Sequence, residues 1–137
     1  MWADAALHRA RCRSSFDPFG LQTWVTPSAN GGSPAWGRHP FPKTDRSGRF
    51  VTLASGFDSD DGALPIHARV LGAALKVGET VEYALGERRH GYLVPASGGV
   101  GVNGVRIDAR DGAAIKDVAI LRITAIEDSV LVMVDVP

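Results

Sequence analysis

The chain has one cysteine, no net charge, no His-x-His pair and no apolar run long enough to cross a membrane, and each shortage removes a class of function. A lone Cys12 forms no internal disulfide, which points to a cytoplasmic protein. Fifteen Lys and Arg balance fifteen Asp and Glu, so no net field draws in nucleic acid or an anionic bilayer, and neither is expected as a partner. No signal-peptide core precedes a cleavage-like site. The four histidines, His8, His39, His67 and His90, are scattered. Two histidines at i and i+2 of one strand point the same way and can chelate, whereas isolated ones depend on the fold to bring them together. A Gly-x-Ser-x-Gly elbow is also missing, which leaves no exposed serine nucleophile. Cys12 lies among Arg9, Arg11 and Arg13, cations that activate a thiol only in a structured segment. Nothing in the residues around it indicates structure.

What is present is a globular mixture, 45% hydrophobic with 16 Gly and 8 Pro in 137 residues, enough for one domain with a real core. Short β-prone runs recur at Leu21–Val25, Arg49–Ala54, Ala68–Lys76, Thr80–Ala84, His90–Pro95, Val100–Val102, Val105–Ile107, Ala113–Ile115, Ala119–Ala125 and Val130–Val136, with Gly or Asp turns between them. Such spacing predicts an all-β fold, an antiparallel sandwich or barrel, with almost no room for helix. Thr26 to Gly48 carries Pro27, Pro34, Pro40 and Pro42 and is read as a loop, since prolines at that density cannot join a central sheet. Trp2, Trp24 and Trp36 are read as packing residues.

Two motifs mislead. Gly99-x-Gly101-x-x-Gly104 has dinucleotide-binding spacing, but that fingerprint needs a helix opening at its last glycine. Here Val105-Arg106-Ile107 follows, which is strand. Asn103-Gly104 instead supplies the two positive-φ positions of a type I′ hairpin turn, and pairing across it puts Val100, Val102, Val105 and Ile107 on one face, expected to be buried. Phe57-Asp58-Ser59-Asp60-Asp61-Gly62 suggests calcium, but Gly62 falls where a ligand should stand and no glutamate closes the loop. It is read as a solvated turn.

Leu21-Gln22-Thr23-Trp24-Val25, Arg49-Phe50-Val51-Thr52-Leu53-Ala54-Ser55-Gly56, the stretch Gly86 to Asp117, Leu121-Arg122-Ile123-Thr124-Ala125 and Glu127-Asp128 together resemble the pirin-like proteins. That bicupin family includes quercetin 2,3-dioxygenases, and the resemblance, to its linker and C-terminal cupin, covers more than four fifths of the chain. It implies an RmlC-like jelly roll, the double-stranded β-helix. The expected organisation is an N-terminal leader or remnant of a lost N-terminal cupin (1–20), a linker strand with a Pro/Gly-rich loop (21–48) and a C-terminal cupin (49–137).

In that family the metal site, three histidines and a glutamate, belongs to the N-terminal barrel, whose last ligand strand reads His-Ser-Glu-Phe-Asn. The corresponding run here is Arg13-Ser14-Ser15-Phe16-Asp17. Neither arginine nor serine replaces an imidazole or carboxylate at a divalent metal. His67 and His90 are left as minor metal candidates. No catalytic residue and no cofactor are expected, and the leading expectation is a structural or protein-interaction module. The alternative is a quercetin dioxygenase-like enzyme using a divalent metal such as iron, with a partner cupin or another constellation supplying the ligands. The resemblance also implies an apolar surface that faces a second cupin. Leu21, Trp24, Val25, Val130, Val132 and Val134 are its candidates, and a homodimer, or a complex with a partner cupin, is the expected assembly.

Overall fold

The computed structural model describes residues 6–8, 23–25, 27–33, 47–60 and 64–137. Every regular element among them is a strand: β1 Ala6–His8, β2 Thr23–Val25, β3 Val51–Ser55, β4 Arg69–Leu75, β5 Thr80–Ala84, β6 His90–Ser97, β7 Val100–Val102, β8 Val105–Ile107, β9 Ala113–Ile115, β10 Ile120–Ala125 and β11 Ser129–Val136. A large sheet of order β3-β4-β11-β6-β9 faces a smaller one of order β5-β10-β7-β8, and β1 pairs with β2 in a third, two-stranded sheet among the described residues. All strand pairs are antiparallel. The expected all-β fold is the one observed.

Alternation decides which side chains meet between the sheets. Along β11, the central strand of the large sheet, Ser129, Leu131, Met133 and Asp135 are buried, while Val130, Val132, Val134 and Val136 stand on the outer face, half-buried. Leu71, Ala73, Leu75, Leu93, Leu131 and Met133 pack against Val81, Val100, Val102, Leu121, Ile123 and Ala125 of the opposing sheet. A second small cluster of Val25, Ile66 and Ala68 covers Val134 and Val136 at one end of the outer face.

The Asn-Gly turn is as expected, with φ of 46° at Asn103 and 87° at Gly104. Its side chain does more than turn the chain. Asn103 Oδ1 accepts the Arg122 N–H at 2.8 Å, and the Asn103 N–H donates to the Arg122 carbonyl at 2.9 Å, so the residue extends the β7–β10 ladder by one rung. The expected burial of all four flanking aliphatics is corrected, however. Register pairs Val100 with Ile107 and Val102 with Val105, and Val100 and Val102 are buried, but Val105 is 62% exposed. β8 is an edge strand of which Ile107, opposite Val100, still packs on the core, while Val105 at the hairpin end reaches beyond it.

Sequence reasoning also gave residues 1–15 no structure. Ala6–His8 is a strand whose partner is Thr23–Val25, pairing that a composition-based reading of an arginine-rich segment cannot see. Arg13 to Asp17 and most of the Pro-rich loop lie outside the described residues. Pro27 bridges Ile66, and the Ser28 N–H donates to the Pro65 carbonyl at 2.7 Å.

Gly56 is where two segments approach most closely: a Cβ built on it would lie 1.5 Å from the Ile66 carbonyl oxygen, while its N–H donates to the Ala68 carbonyl at 2.9 Å. A methyl group there forces β3 and the Leu64–Ala68 segment apart. Gly56→Ala should therefore lower unfolding free energy by about 3 kcal/mol or more in urea denaturation. A loss below about 1 kcal/mol would show that this close approach does not exist.

Candidate functional site

Asp135 is the one charged residue on the inward phase of β11, and it is 1% exposed. A carboxylate out of water is costly unless donors surround it. Two elements supply them. Tyr83, on β5 of the smaller sheet, donates its hydroxyl to Asp135 Oδ2 at 2.7 Å, and Arg89, in the turn before β6, donates Nε to Oδ1 at 2.5 Å. Arg89 Nη2 also donates to the carbonyls of His67, at 3.1 Å, and Asp135, at 3.3 Å. Arg69 opens β4 directly opposite Asp135, and its Nη1 reaches the Tyr83 hydroxyl at 3.5 Å while Nε donates to Asp60 Oδ2 at 2.8 Å.

The segment after β3 closes over this cluster. Phe57 lies beneath both guanidinium groups, with its ring centroid 4.0 Å from Arg69 Cζ and 4.7 Å from Arg89 Cζ, within cation–π range. Its N–H donates to Ser55 Oγ at 3.0 Å, and its carbonyl accepts the Asp60 N–H at 2.9 Å. Asp60 is thus an ion-pair partner held by a turn, which corrects its reading as part of a merely solvated loop. The Ser55 hydroxyl first, and Arg69 after it, hold the Asp60 carboxyl below its usual pKa against the opposing effect of burial. Burial works against the Arg69 charge, but Tyr83 and Asp60 more than offset it and raise its pKa. Tyr83 is pushed up to about 12, by burial and then by donation to Asp135.

The metal candidates do not converge. His90 pairs with Val136, on the outer face of the large sheet, and His67 has an exposed side chain and lends the cluster only its carbonyl. Among the described residues no three of His, Cys, Asp and Glu lie together as a ligand set. Apart from Asp135, whose carboxylate is taken up by Tyr83 and Arg89, the described residues between the sheets are mainly aliphatic, which is not the donor set a divalent metal needs.

Of the interface candidates, Leu21 lies outside the described residues. Trp24 is placed in β2 opposite Leu7. Val25 is buried in the small cluster that also packs on Val134. Val130 and Val132 stand free of that cluster in the middle of the outer face. Beside them Val94 is half-buried, and Tyr92 is 51% exposed. The cluster around Asp135 was missed in the sequence. Its signal is an acid on the same two-residue phase as Ser129, Leu131 and Met133.

A profile of the quercetinase C-terminal cupin domain matches residues 52–136. The chain belongs to the pirin-like cupin family. A pirin-like protein of Caulobacter vibrioides is 66% identical over 117 residues, 84% of this chain and 50% of that protein. The quercetin 2,3-dioxygenase of Escherichia coli K12 is 31% identical over 119 residues, 85% of this chain and 49% of the enzyme. Among solved structures, the bacterial pirin YhhW of Escherichia coli in complex with nickel(II) superposes with a TM-score of 0.74 at 29% identity, covering 85% of this chain and 49% of that one. The chain spans about half the length of these relatives.

Because folding raises the Tyr83 pKa from 10 to about 12, the folded state favours the neutral phenol. That contribution is whole below pH 10 and is lost as pH rises through 12. In Tyr92→Phe, which leaves Tyr83 as the only tyrosine, phenolate absorbance should appear near pH 12 while the protein is folded. A midpoint at 10 with the fold intact would show that the hydroxyl is not committed to Asp135.

Proposed function

We propose that this pirin-like cupin domain works as an interaction module, docking through the outer face of its large sheet onto a second cupin. The observation that carries this reading is the contrast between its two outer faces. The smaller sheet turns out mainly polar side chains paired with one another: Arg122 with Glu82 at 2.7 Å, Arg106 with Asp108 at 2.8 Å, and Thr80 with Thr124 at 2.9 Å, with Ile120, 57% exposed, as its apolar exception. The large sheet turns out Val130 and Val132 on its central strand, flanked by Val94 and Tyr92, while Val134 beyond them is already covered by the Val25 cluster. Antiparallel sheets with one solvated face alternate polar with apolar residues. Here the second face is apolar too, which suits a covered sheet.

Magnitude supports a cupin-sized partner over a peptide. Each 100 Å² of apolar surface withdrawn contributes about 2.5 kcal/mol, and association costs roughly 4–15 kcal/mol. Several hundred Å² must therefore be covered, the area of a sheet face. The relatives' additional length is consistent with a second domain of similar size. In a protein consisting of this chain, a second copy meets the same need through a symmetric dimer.

The dioxygenase reading draws on the names of the relatives and on the nickel-bound bacterial pirin. The described residues of this chain do not fit a divalent metal, so on that reading the partner cupin supplies the ligands, and this chain supplies the docking face.

Light scattering after size exclusion at micromolar concentration should give about 29 kDa, twice the 14.5 kDa chain, and Val132→Glu should return it to a folded monomer. A monodisperse wild-type monomer would overturn the docking face. Elemental analysis of untagged protein should find no near-stoichiometric iron, nickel, copper or zinc. Finding one would sink the metal-free reading independently of assembly.

A further inference from the structure

Arg69 opens β4 and Arg89 lies in the turn before β6, yet both guanidinium groups close on a single ring, that of Phe57. Arg69 also holds a carboxylate, Asp60, at 2.8 Å through Nε. Ring and carboxylate both belong to the short segment 57–60, which lies over the end of the sandwich. Behind it are the Tyr83 hydroxyl and the buried Asp135. We infer that Phe57 and Asp60 occupy an arylalkanoate-binding site as a built-in pseudo-ligand, and that a small molecule bearing an aromatic ring and a carboxylate on a flexible arm displaces them.

Charge and shape both select that class. With the segment in place, Asp60 and Asp135 balance the two arginines. With Asp60 displaced, two cations face one anion, and the site attracts one negative charge. Asp135 stays, because Tyr83 and Arg89 anchor it away from the segment. Arg69 then presents its face to a ring and its edge to a carboxylate, as it does now. One guanidinium using face and edge together requires a bend between ring and acid. That favours an arm of one to three carbons and disfavours benzoate, whose carboxylate lies in the plane of its ring. The contacts being replaced are local: the Arg69–Asp60 ion pair, with both side chains 21% exposed, the Ser55 hydroxyl on Asp60, the Phe57 N–H bond to Ser55 Oγ and the two ring contacts, none of them a rung of a sheet ladder. The segment is therefore displaceable without unfolding the sheets. Gly56, locked against Ile66, marks where the fixed part of the chain ends.

The test uses 3-phenylpropanoate as the probe, titrated into the full chain by calorimetry and by following arginine Nε–H resonances. Wild type should bind weakly and saturably. Phe57→Ala and Asp60→Asn, each of which removes one half of the pseudo-ligand, should bind at least tenfold more tightly, and Arg69→Gln in either background should abolish binding. Benzoate and 3-phenylpropanamide should bind at least tenfold more weakly than the probe. Asp60→Asn alters only a partly exposed group and keeps the test informative if Phe57→Ala unfolds. Absence of saturable binding to any folded variant would overturn the inference. So would equal affinity in wild type and Asp60→Asn, or binding that survives Arg69→Gln. None of these outcomes bears on assembly through the valine face.

Discussion

A buried carboxylate at the end of the central strand holds the two sheets in register. Asp135 sits on the phase of β11 that otherwise places Leu131 and Met133 in the core, and its two donors arrive from Tyr83 on the opposite sheet and from Arg89 in the turn before β6. Slippage of β11 by one residue would turn Asp135 out to solvent and leave Tyr83 without its acceptor. Removing one partner of such a pair leaves a charge with no compensation, typically at a cost of 3–5 kcal/mol. The arrangement therefore specifies geometry more than it adds stability. It fixes which end of the sandwich is polar, and so where Arg69, Phe57 and Asp60 can gather.

The rest of the interior is filled by aliphatic side chains, and that filling limits what the domain does. A cupin interior becomes a metal site only when several ligands replace core residues together. A single histidine in place of Leu93 or Met133 would bury an imidazole among aliphatics, at about 1–3 kcal/mol for each unpaired polar group, until the other ligands and the metal were also present. Among the described residues the core is committed to packing, and the polar groups that gather do so at the end of the sandwich, around Asp135.

Strand existence was legible because its signal is local. The two-residue alternation of β11 and the Asn-Gly hairpin, whose positive φ values are those the dipeptide favours, could be read directly. Burial was less legible, because it depends on what lies opposite. Val105 has the same pattern as Val102 but overhangs the sheet. Pairing of Ala6–His8 with Thr23–Val25 joins segments separated by an arginine-rich stretch and leaves no periodic trace in so short a strand. The Arg69–Phe57–Arg89 contact was invisible for a similar reason. Its members lie on three separate segments of the chain, and each looks ordinary alone: an arginine opening a strand, a phenylalanine in an acidic turn, an arginine in a basic pair.

The acidic turn shows how composition misdirects. Asp58, Asp60 and Asp61 read as calcium ligands or as solvated charge, because one sequence window shows only the carboxylates. Their role depends on which cations the fold brings, and β4 brings Arg69, whose Nε takes Asp60. A guanidinium and a divalent cation compete for the same oxygens, and the guanidinium is tethered to the sheet. Its effective concentration at the turn is on the order of millimolar, as for any tethered group within reach. With Asp60 Oδ2 committed to Arg69, the described part of the turn offers a cation one carboxylate oxygen fewer, so the arginine that makes the turn part of the cluster also competes with any cation for it.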